Sequence, residues 1–398
     1  MAEVLTFEQA QARVLEHVRP LAPERVALGA ASGRVTAAPA QSVVDLPPFA
    51  SSAMDGYAVR SADLPGTLPV VDRVAAGRPA GRPLAAGEAM EISTGGVVPE
   101  GADAVVPVES VVERDNNTVE FPEAVAGGAN VRPRGGDAAL GSVVVDSGVL
   151  LGPSQIGALA AAGVAEVDCA RRPRVVVLAT GTELARPGEP LGPGQVYEAN
   201  AVMLAAALAA AGAEVEQLPA VADDEAAHRT AIARGLEADV LVTSGGVSVG
   251  PHDLVRAIEA ELGVEEVFWR VAMRPGKPVS FGVRAATLVF GLPGNPVSSL
   301  VGCMLFVLPA VRALQGVREP LPPFADGTLA AALRRNPARD DFVRARVRRD
   351  GNGATLEPIV GQESHMIARA AGADALVHIA RGDGEVAVGE RVAWLALN

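Results

Sequence analysis

The chain has 398 residues, of which 49% are hydrophobic and 20% are charged. This composition predicts about two to four folded domains and excludes a disordered polymer. The net charge of −13 argues against a general nucleic-acid or membrane-surface binder, because an acidic protein is repelled by phosphate-rich surfaces. Two cysteines and five scattered histidines lack the spacing of a disulfide framework or a zinc site.

The first third of the chain predicts a helix followed by a β-rich region. Residues 6–18 start at a threonine and place apolar residues at helical spacing. From about 35 to 148, short valine-rich runs separated by glycine and proline predict strands and turns. Residues 152–165 return to helical character. The N-terminus has no apolar segment of the signal-peptide kind, so we expect a cytoplasmic protein.

The stretch 173–315 predicts an α/β domain. Buried strands alternate with helical segments at 201–212, near 225–236 and at 253–263, which is typical of a parallel sheet with helices on both faces. Ligands of such sheets bind outside the carboxyl ends of the strands. Residues 314–323 form a linker, and the tail 324–398 predicts a small β-barrel that includes two strands around a DGNG turn.

The segment TSGGVSVGPHD (243–253) follows one of the buried strands. Backbone N–H groups around Gly245 and Gly246 could approach a phosphate, helped by a helix that starts near Asp253. The alternative is an ordinary strand–helix turn with Asp253 as its N-cap. The glycines do not form a dinucleotide-binding fingerprint.

The segment RPGKPVSFG (274–282) contains Arg274 and Lys277 in a proline-stiffened loop. Two cations beside a phosphate-binding turn suit an anionic ligand, although a solvated loop would also tolerate them. Lysine is otherwise absent: the other 33 basic residues are arginines. A retained lysine suggests a need for a compact ammonium instead of a planar guanidinium.

The segment GLPGNPVSS (291–299) predicts a sharp elbow after another strand. Asn295 is expected as the N-cap of a helix and Pro296 as its first residue, with Pro293 shaping the elbow. The unpaired N–H groups of this helix would form a second anion site.

Acidic residues also follow the predicted parallel strands. Glu183, the pair Asp223 and Asp224, and Asp253 suggest Mg²⁺ bridging protein and phosphate oxygens. Each alone would be interpreted as a cap or turn acid, but their shared placement favours the metal.

Four further positions carry weaker signals. Asp55 and Thr94 lie at glycine-containing turns of the β-rich part, where hairpin turns are the default interpretation. Arg344 shares a strand face with Arg346 and Arg348 by the two-residue period, and a solvated face is the default. Ser364 lies at an expected helix start.

Taken together, these strings resemble the molybdopterin molybdenumtransferase family, the type that includes MoeA and the gephyrin E domain. The matching strings occur in order over most of the chain: SAMDGYAV, GADAVVP, TGTEL, GPGQVYEAN, SGGVSVGPHD, PGKP, GLPGNPVS and QESHM. The resemblance implies a multidomain α/β plus β fold. Its expected parts are a helical and mixed dimerisation domain (1–42 with 128–170), a β-rich inserted domain (43–127), a central molybdopterin-binding α/β domain (171–318) and a C-terminal β-barrel (319–398).

The resemblance also implies an activity. Such enzymes use Mg²⁺ to insert molybdenum from molybdate into adenylylated molybdopterin, with release of AMP, in molybdenum cofactor biosynthesis. They are homodimers, and the molybdopterin adenylyltransferase is the expected partner. Neither nucleic acid nor membrane is expected as a partner.

The family's functional residues transfer by motif onto this chain. The catalytic positions are Asp55, Thr94, Glu183, Asp223, Asp253 and Lys277. The expected metal ligands are Asp223, Asp253 and Glu183, with Asp224 as an alternative to Asp223. The expected ligand-binding positions are Ser244, Gly245, Gly246, Ser248, Arg274, Pro293, Asn295, Pro296, Arg344 and Ser364, with Arg339 as an alternative to Arg344. Arg274 stands where many relatives carry a second lysine.

Three alternatives remain at this point. A molybdopterin adenylyltransferase shares the α/β domain, but it would leave residues 1–170 and 320–398 unexplained. A nucleotide deamidase with a similar Gly-Gly domain would leave SAMDGYAV unexplained. A non-catalytic scaffold that binds a peptide partner is the third, and the acids and the lysine argue against it.

Overall fold

The structure, a computed structural model, describes residues 4–114, 116–222, 224–246, 254–351 and 353–397. The chain divides into two compact units, one of Met1–Glu24, Gly33–Ala37 and Ala170–Asn398, the other of Arg25–Ser32 and Ala38–Cys169. The α-helices are α1 (Phe7–Glu16), α2 (Pro153–Ala161), α3 (Asn200–Ala210), α4 (Glu225–Gly235), α5 (Leu254–Glu261), α6 (Pro296–Gly302), α7 (Leu308–Leu314) and α8 (Ile367–Ala370).

The expected β-rich character of the first part is confirmed. A sheet with the strand order β7-β4-β6-β5-β9-β8 forms most of it. Tyr57 and Val59 of β4 pack into one apolar cluster, and the intervening Ala58 packs into another, so this strand is buried on both faces. The strands are β1 (Pro23–Ala27), β2 (Ala40–Gln41), β3 (Ser51–Ser52), β4 (Gly56–Val59), β5 (Gly66–Val74), β6 (Ala89–Ile92), β7 (Ala104–Pro107), β8 (Val112–Arg114), β9 (Thr118–Phe121), β10 (Val131–Arg132), β11 (Val143–Val145) and β12 (Glu166–Ala170).

The expected α/β domain is also confirmed. Its sheet has the order β16-β13-β17-β21-β20-β18. The pairings along β16, β13, β17 and β21 are parallel. Strand β20 pairs antiparallel with β21, and β18 pairs antiparallel with β20. The strands are β13 (Arg174–Ala179), β14 (Leu184–Ala185), β15 (Val196–Tyr197), β16 (Glu214–Gln217), β17 (Val240–Ser244), β18 (Glu265–Trp269), β19 (Met273–Arg274), β20 (Ser280–Arg284) and β21 (Thr287–Leu292).

Helices cover both faces of this sheet because successive strand residues are apolar. Val177 of β13 belongs to a cluster with Leu204 of α3. Leu178, the next residue, packs instead with Ile232 of α4 and Ile258 of α5. A strand that buries both faces cannot alternate polar and apolar residues, which explains the uninterrupted apolar run in the sequence.

A continuous helical segment, Pro296–Leu314, passes through the core of this domain. It comprises α6, a π-helical stretch Cys303–Val307, and α7. Its mean hydropathy of 1.9 would suffice for a membrane span, but 78% of the segment is buried inside the protein.

Two residues of this segment show how it is buried. The side chain of Gln11 donates from Nε2 to the Leu305 carbonyl (2.9 Å). Burial raises the pKa of the Cys303 thiol to about 12, so this cysteine is a protonated core residue.

The C-terminal part closes into a barrel, as expected. The order β24-β25-β22-β28-β26 returns to β24 through a β24–β26 pairing. Helix α8 begins at Ile367, slightly later than the sequence predicts. The strands are β22 (Ala325–Leu329), β23 (Leu333–Arg334), β24 (Asp340–Asp350), β25 (Gly353–Pro358), β26 (Ala375–Ile379), β27 (Glu385–Val386) and β28 (Arg391–Ala396).

Candidate functional site

A cavity of about 820 Å³ lies at the carboxyl ends of β13, β17 and β21. Each strand contributes the loop that follows it: Thr180 after β13, Gly245 after β17 and Pro293 after β21. The expected position of a ligand site in a parallel sheet therefore coincides with a real opening. Its volume suits a ligand of cofactor size.

The Gly-Gly turn after β17 can be built only with glycine. Gly245 and Gly246 have φ values of +98° and +66°. A Cβ on Gly245 would lie 2.6 Å from the Thr180 carbonyl oxygen, and one on Gly246 would lie 2.5 Å from Cγ2 of Val255. Ser244, Gly245 and Gly246 all line the cavity, but the Gly245 N–H donates to the Leu292 carbonyl (3.1 Å) and is not available to an anion. Ser248 and Asp253 lie outside the described residues.

A buried polar network joins the loops of the cavity. Asn200, the first residue of α3, donates from Nδ2 to Ser244 Oγ (2.9 Å) and to the Gly294 carbonyl (2.7 Å). Ser244 Oγ lies 3.2 Å from Ser299 Oγ, and both hydroxyls bond to the Pro293 carbonyl. Sequence reasoning missed Asn200 and Ser299. In the sequence, each is a polar residue in the first turn of a largely apolar helix: Asn200 in α3 and Ser299 in α6.

We expect Asn200→Asp to lower the free energy of unfolding by about 1–3 kcal/mol. Aspartate keeps the shape of the side chain but removes both N–H donors and places a carboxylate against the Gly294 carbonyl. Chemical denaturation of the purified protein measures the change. Val202→Ala, at a half-exposed position of the same helix, is the matched control and should stay near wild type. Equal stability of all three proteins would contradict the network.

The elbow after β21 confirms Asn295 as N-cap and Pro296 as first helical residue. The Asn295 side chain makes no capping bond within the described chain. Pro293, Asn295 and Pro296 all line the cavity. The helix terminus is less open than expected, because the Val297 N–H donates to the Ser364 carbonyl (3.0 Å). That N–H group is therefore not available to an anion. The expectation that the N–H groups at this helix start are unpaired is wrong for Val297.

The segment that contains Ser364 is held in place by Arg344. This arginine is only 1% exposed. Its Nη1 donates to the Met366 carbonyl (2.8 Å), and its Nη2 donates to the carbonyls of Gly361 (2.7 Å) and Glu363 (3.2 Å). Burial lowers the pKa of its guanidinium. The default interpretation of a solvated face is thus wrong for Arg344, and the structure gives this residue a positioning role. Direct contact with an anion stays a prediction.

The lysine-containing loop is attached to the barrel. Its strand β19 pairs in parallel with the start of β24, and Arg274 forms an ion pair with the buried carboxylate of Asp341. Burial raises the pKa of Asp341, and the Arg274 charge opposes that shift. Lys277 is exposed, and its carbonyl accepts a hydrogen bond from Val271 N (3.0 Å). The neighbouring Pro278 lines the cavity.

The expected metal ligands are only partly described. Glu183 lines the cavity, whereas Asp223 and Asp253 lie outside the described residues. Asp224, the alternative to Asp223, is the N-cap of α4 and accepts a hydrogen bond from Ala227 N (2.7 Å). In the ranges that the structure describes, no three histidine, cysteine, aspartate or glutamate side chains form a metal-binding group.

Asp55 and Thr94 come together in the β-rich unit. The Thr94 N–H (2.6 Å) and Oγ1 (3.0 Å) both donate to Asp55 Oδ1. The backbone bond is the larger cause of the lowered pKa of Asp55, and the hydroxyl bond adds to it. The sequence placed the two residues at separate turns, so their pairing is a finding of the structure.

Three family models match consecutive parts of the chain. The MoeA N-terminal region (domains I and II) matches residues 5–163, the probable molybdopterin binding domain matches residues 176–313, and the MoeA C-terminal region (domain IV) matches residues 326–397.

Several relatives match along nearly their whole length. The molybdopterin molybdenumtransferase of Haemophilus influenzae is 36% identical over 395 residues, 98% of either chain. Molybdopterin molybdenumtransferase 2 of Mycobacterium tuberculosis is 37% identical over 402 aligned positions, 97% of this chain and 98% of the relative. A crystal structure of the molybdopterin biosynthesis MoeA protein of Pyrococcus horikoshii has a TM-score of 0.85 and 31% identity, and covers 100% of both chains.

Proposed function

The chain belongs to the molybdopterin molybdenumtransferases, a family of transferases in molybdenum cofactor biosynthesis, and from that membership we propose the reaction. The protein inserts molybdenum from molybdate into adenylylated molybdopterin and releases AMP. The observation that carries this proposal is the cavity at the strand ends, which is lined by Ser244, Gly245, Gly246 and the Pro293–Pro296 elbow. These are the residues of the motifs shared with the family.

The chemistry of the cavity wall fits an anionic ligand of this size. Backbone N–H groups at a glycine turn are neutral donors, so they bind a phosphate without the desolvation cost of buried charge. Lys277 lies on the adjacent loop and supplies positive charge against the acidic background of the chain. Arg274 adds less, because its guanidinium is paired with the buried carboxylate of Asp341. A molybdate dianion needs fixed donors of the same kind.

Magnesium is proposed as the cofactor on the chemistry of the donor set. Carboxylate oxygens are preferred ligands of this cation, and Glu183 lies in the cavity wall. Asp223, Asp253 and Glu183 would hold the ion, which when bound neutralises charge on the phosphate oxygens. Asp224 is less suited, because its carboxylate already caps α4.

The chain's own residues then have distinct tasks. The Gly246 N–H of the glycine turn binds and orients the phosphate, whereas the Gly245 N–H holds the turn against the Leu292 carbonyl (3.1 Å). The Lys277 ammonium stabilises negative charge that builds as the phosphate bond breaks. Arg344 keeps the Ser364 segment against the start of α6, and thereby shapes the cavity wall. No side chain needs to become a covalent nucleophile.

Release of AMP from adenylylated molybdopterin, followed by chromatography, tests the reaction directly. We expect release to depend on molybdate and Mg²⁺, to stop with EDTA, and to resume when Mg²⁺ is restored. Adenylylation of free molybdopterin by ATP would point instead to an adenylyltransferase. Binding of the substrate without turnover would favour the scaffold alternative, and hydrolysis of a nucleotide amide would favour the deamidase.

We propose a cytoplasmic homodimer that receives its substrate from the molybdopterin adenylyltransferase, with domain boundaries at residues 42, 127, 170 and 318. If two chains share each active site, a mixture of Asp55→Ala and Lys277→Ala chains should recover activity that neither variant has alone. Mixing after denaturation and joint refolding measures this recovery, and complete absence of recovery would contradict a shared site.

A further inference from the structure

His228 occupies an unusual place in the wall of the cavity. It lies in the first turns of α4, and the buried residues of that helix are His228, Ile232 and Gly235. Their spacing places them on one face, toward the sheet. The imidazole is only 2% exposed, yet it lines the cavity together with Thr180 and Gly246. A polar ring at an apolar position needs a partner for each nitrogen.

The tautomer of this histidine follows from its one hydrogen bond. Nδ1 lies 2.9 Å from the Asp224 carbonyl oxygen, one helical turn earlier. A carbonyl oxygen can only accept, so Nδ1 carries a hydrogen; in the tautomer with a single ring hydrogen, Nε2 then carries a lone pair. Among the described residues, the contact at Nδ1 is the only hydrogen bond of this ring. The ring therefore offers the cavity an acceptor whose orientation is fixed by the helix backbone.

The surroundings of the ring favour a flat, partly apolar ligand group. Gly245 and Gly246 present backbone without side chains. Leu254 and Val255 also line the cavity, and Val255 lies beside Gly246. A fixed acceptor in a partly apolar wall discriminates between ligands that do and do not carry a matching donor. Amino-substituted nitrogen heterocycles combine a flat ring with N–H donors at its edge.

We propose that Nε2 of His228 accepts a hydrogen bond from an amino-substituted nitrogen heterocycle of the bound substrate, and that it makes this residue a specificity determinant of the cavity. The inference rests on the proposed function, whose substrate contains two such rings, a pterin and an adenine. The shared chemistry is the ring-bound amino group.

Binding measurements with two matched pairs of probes test this proposal. AMP is compared with purine riboside 5′-monophosphate, and 6-hydroxymethylpterin is compared with 6-hydroxymethyllumazine, because the second member of each pair lacks the amino group. By calorimetry, the wild-type protein should bind the amino-bearing member of one pair about tenfold more tightly, the value of one net hydrogen bond. The pair that shows the preference identifies the ring.

Two substitutions at the same position separate the hydrogen bond from packing. His228→Leu should bind both members of that pair equally, because leucine fills the space without an acceptor. His228→Gln should keep part of the preference through its amide oxygen. Circular dichroism and thermal unfolding of both variants verify that α4 is formed.

The proposal is overturned if the ratio of affinities in each pair is the same for wild type and His228→Leu. The AMP-release assay distinguishes this failure from failure of the proposed function. Normal AMP release with an unchanged ratio rejects only the role of His228. If the ratio of affinities differs between wild type and His228→Leu but no AMP is released, the contact is supported and the transferase reaction is rejected.

Discussion

Lys277→Arg should lose most of the transferase activity, by about 10-fold to 100-fold in kcat/KM, while keeping the fold. Both side chains carry one positive charge, so the field around the loop is retained. Arginine, however, replaces a compact ammonium with a planar fork that cannot place its charge on one phosphate oxygen at the same distance. Because Lys277 is exposed, the change should leave the thermal unfolding temperature unaltered. Steady-state AMP release measures the loss.

The neighbouring cation provides a matched control. Arg274→Lys is expected to stay within a few-fold of wild type, because a lysine at this position can still pair with Asp341. Near-normal activity of Lys277→Arg would show that the reaction does not require lysine at this position, and that its presence in an arginine-rich chain is due to chance. The same lysine allows a chemical check, since acetylation of its ε-amine should be slowed by bound substrate.

Arg344→Leu should give the largest loss of stability, about 3–5 kcal/mol in the free energy of unfolding. The arginine is the donor for the carbonyls of Gly361, Glu363 and Met366, and leucine would leave these acceptors without it in a buried setting. Activity should fall in parallel, because the same segment bonds to the Val297 N–H at the start of α6. Urea denaturation and AMP release on the same samples measure both effects.

Arg346→Leu is the comparison for that experiment. It lies on the same strand two residues later, is exposed, and makes one hydrogen bond to the Gly372 carbonyl (3.1 Å). We expect a change within about 0.5 kcal/mol, as for most surface substitutions. If Arg344→Leu is no less stable than Arg346→Leu, the buried arginine does not hold the 361–366 segment.

The elements of the α/β domain could be predicted because their signals are local. The apolar run of β13 and the proline and asparagine before α6 specify a buried strand and a helix start from neighbouring residues alone. The turn at Gly245 and Gly246 could be predicted in the same way, because few residues other than glycine adopt the positive φ values that such a turn requires.

Contacts between distant segments could not be predicted in the same way. The two-residue period groups Arg344 with Arg346 and Arg348 on one strand face, and the structure buries the first and exposes the other two. The difference arises because residues 361–366 cover that end of the strand. Asn200 and Ser244 are 44 positions apart, so their hydrogen bond has no signature in either segment.

The contact between Gln11 and Leu305 has a consequence for synthesis of the protein. The two residues are separated by 294 positions, which corresponds to about 15 to 60 seconds of translation. During that interval Phe7, Ala10 and Val14 have left the ribosome, but the helix that buries them has not been made. The apolar face of the N-terminal helix therefore stays without this partner until the helical segment Pro296–Leu314, which follows the last strand of the α/β domain, has been translated.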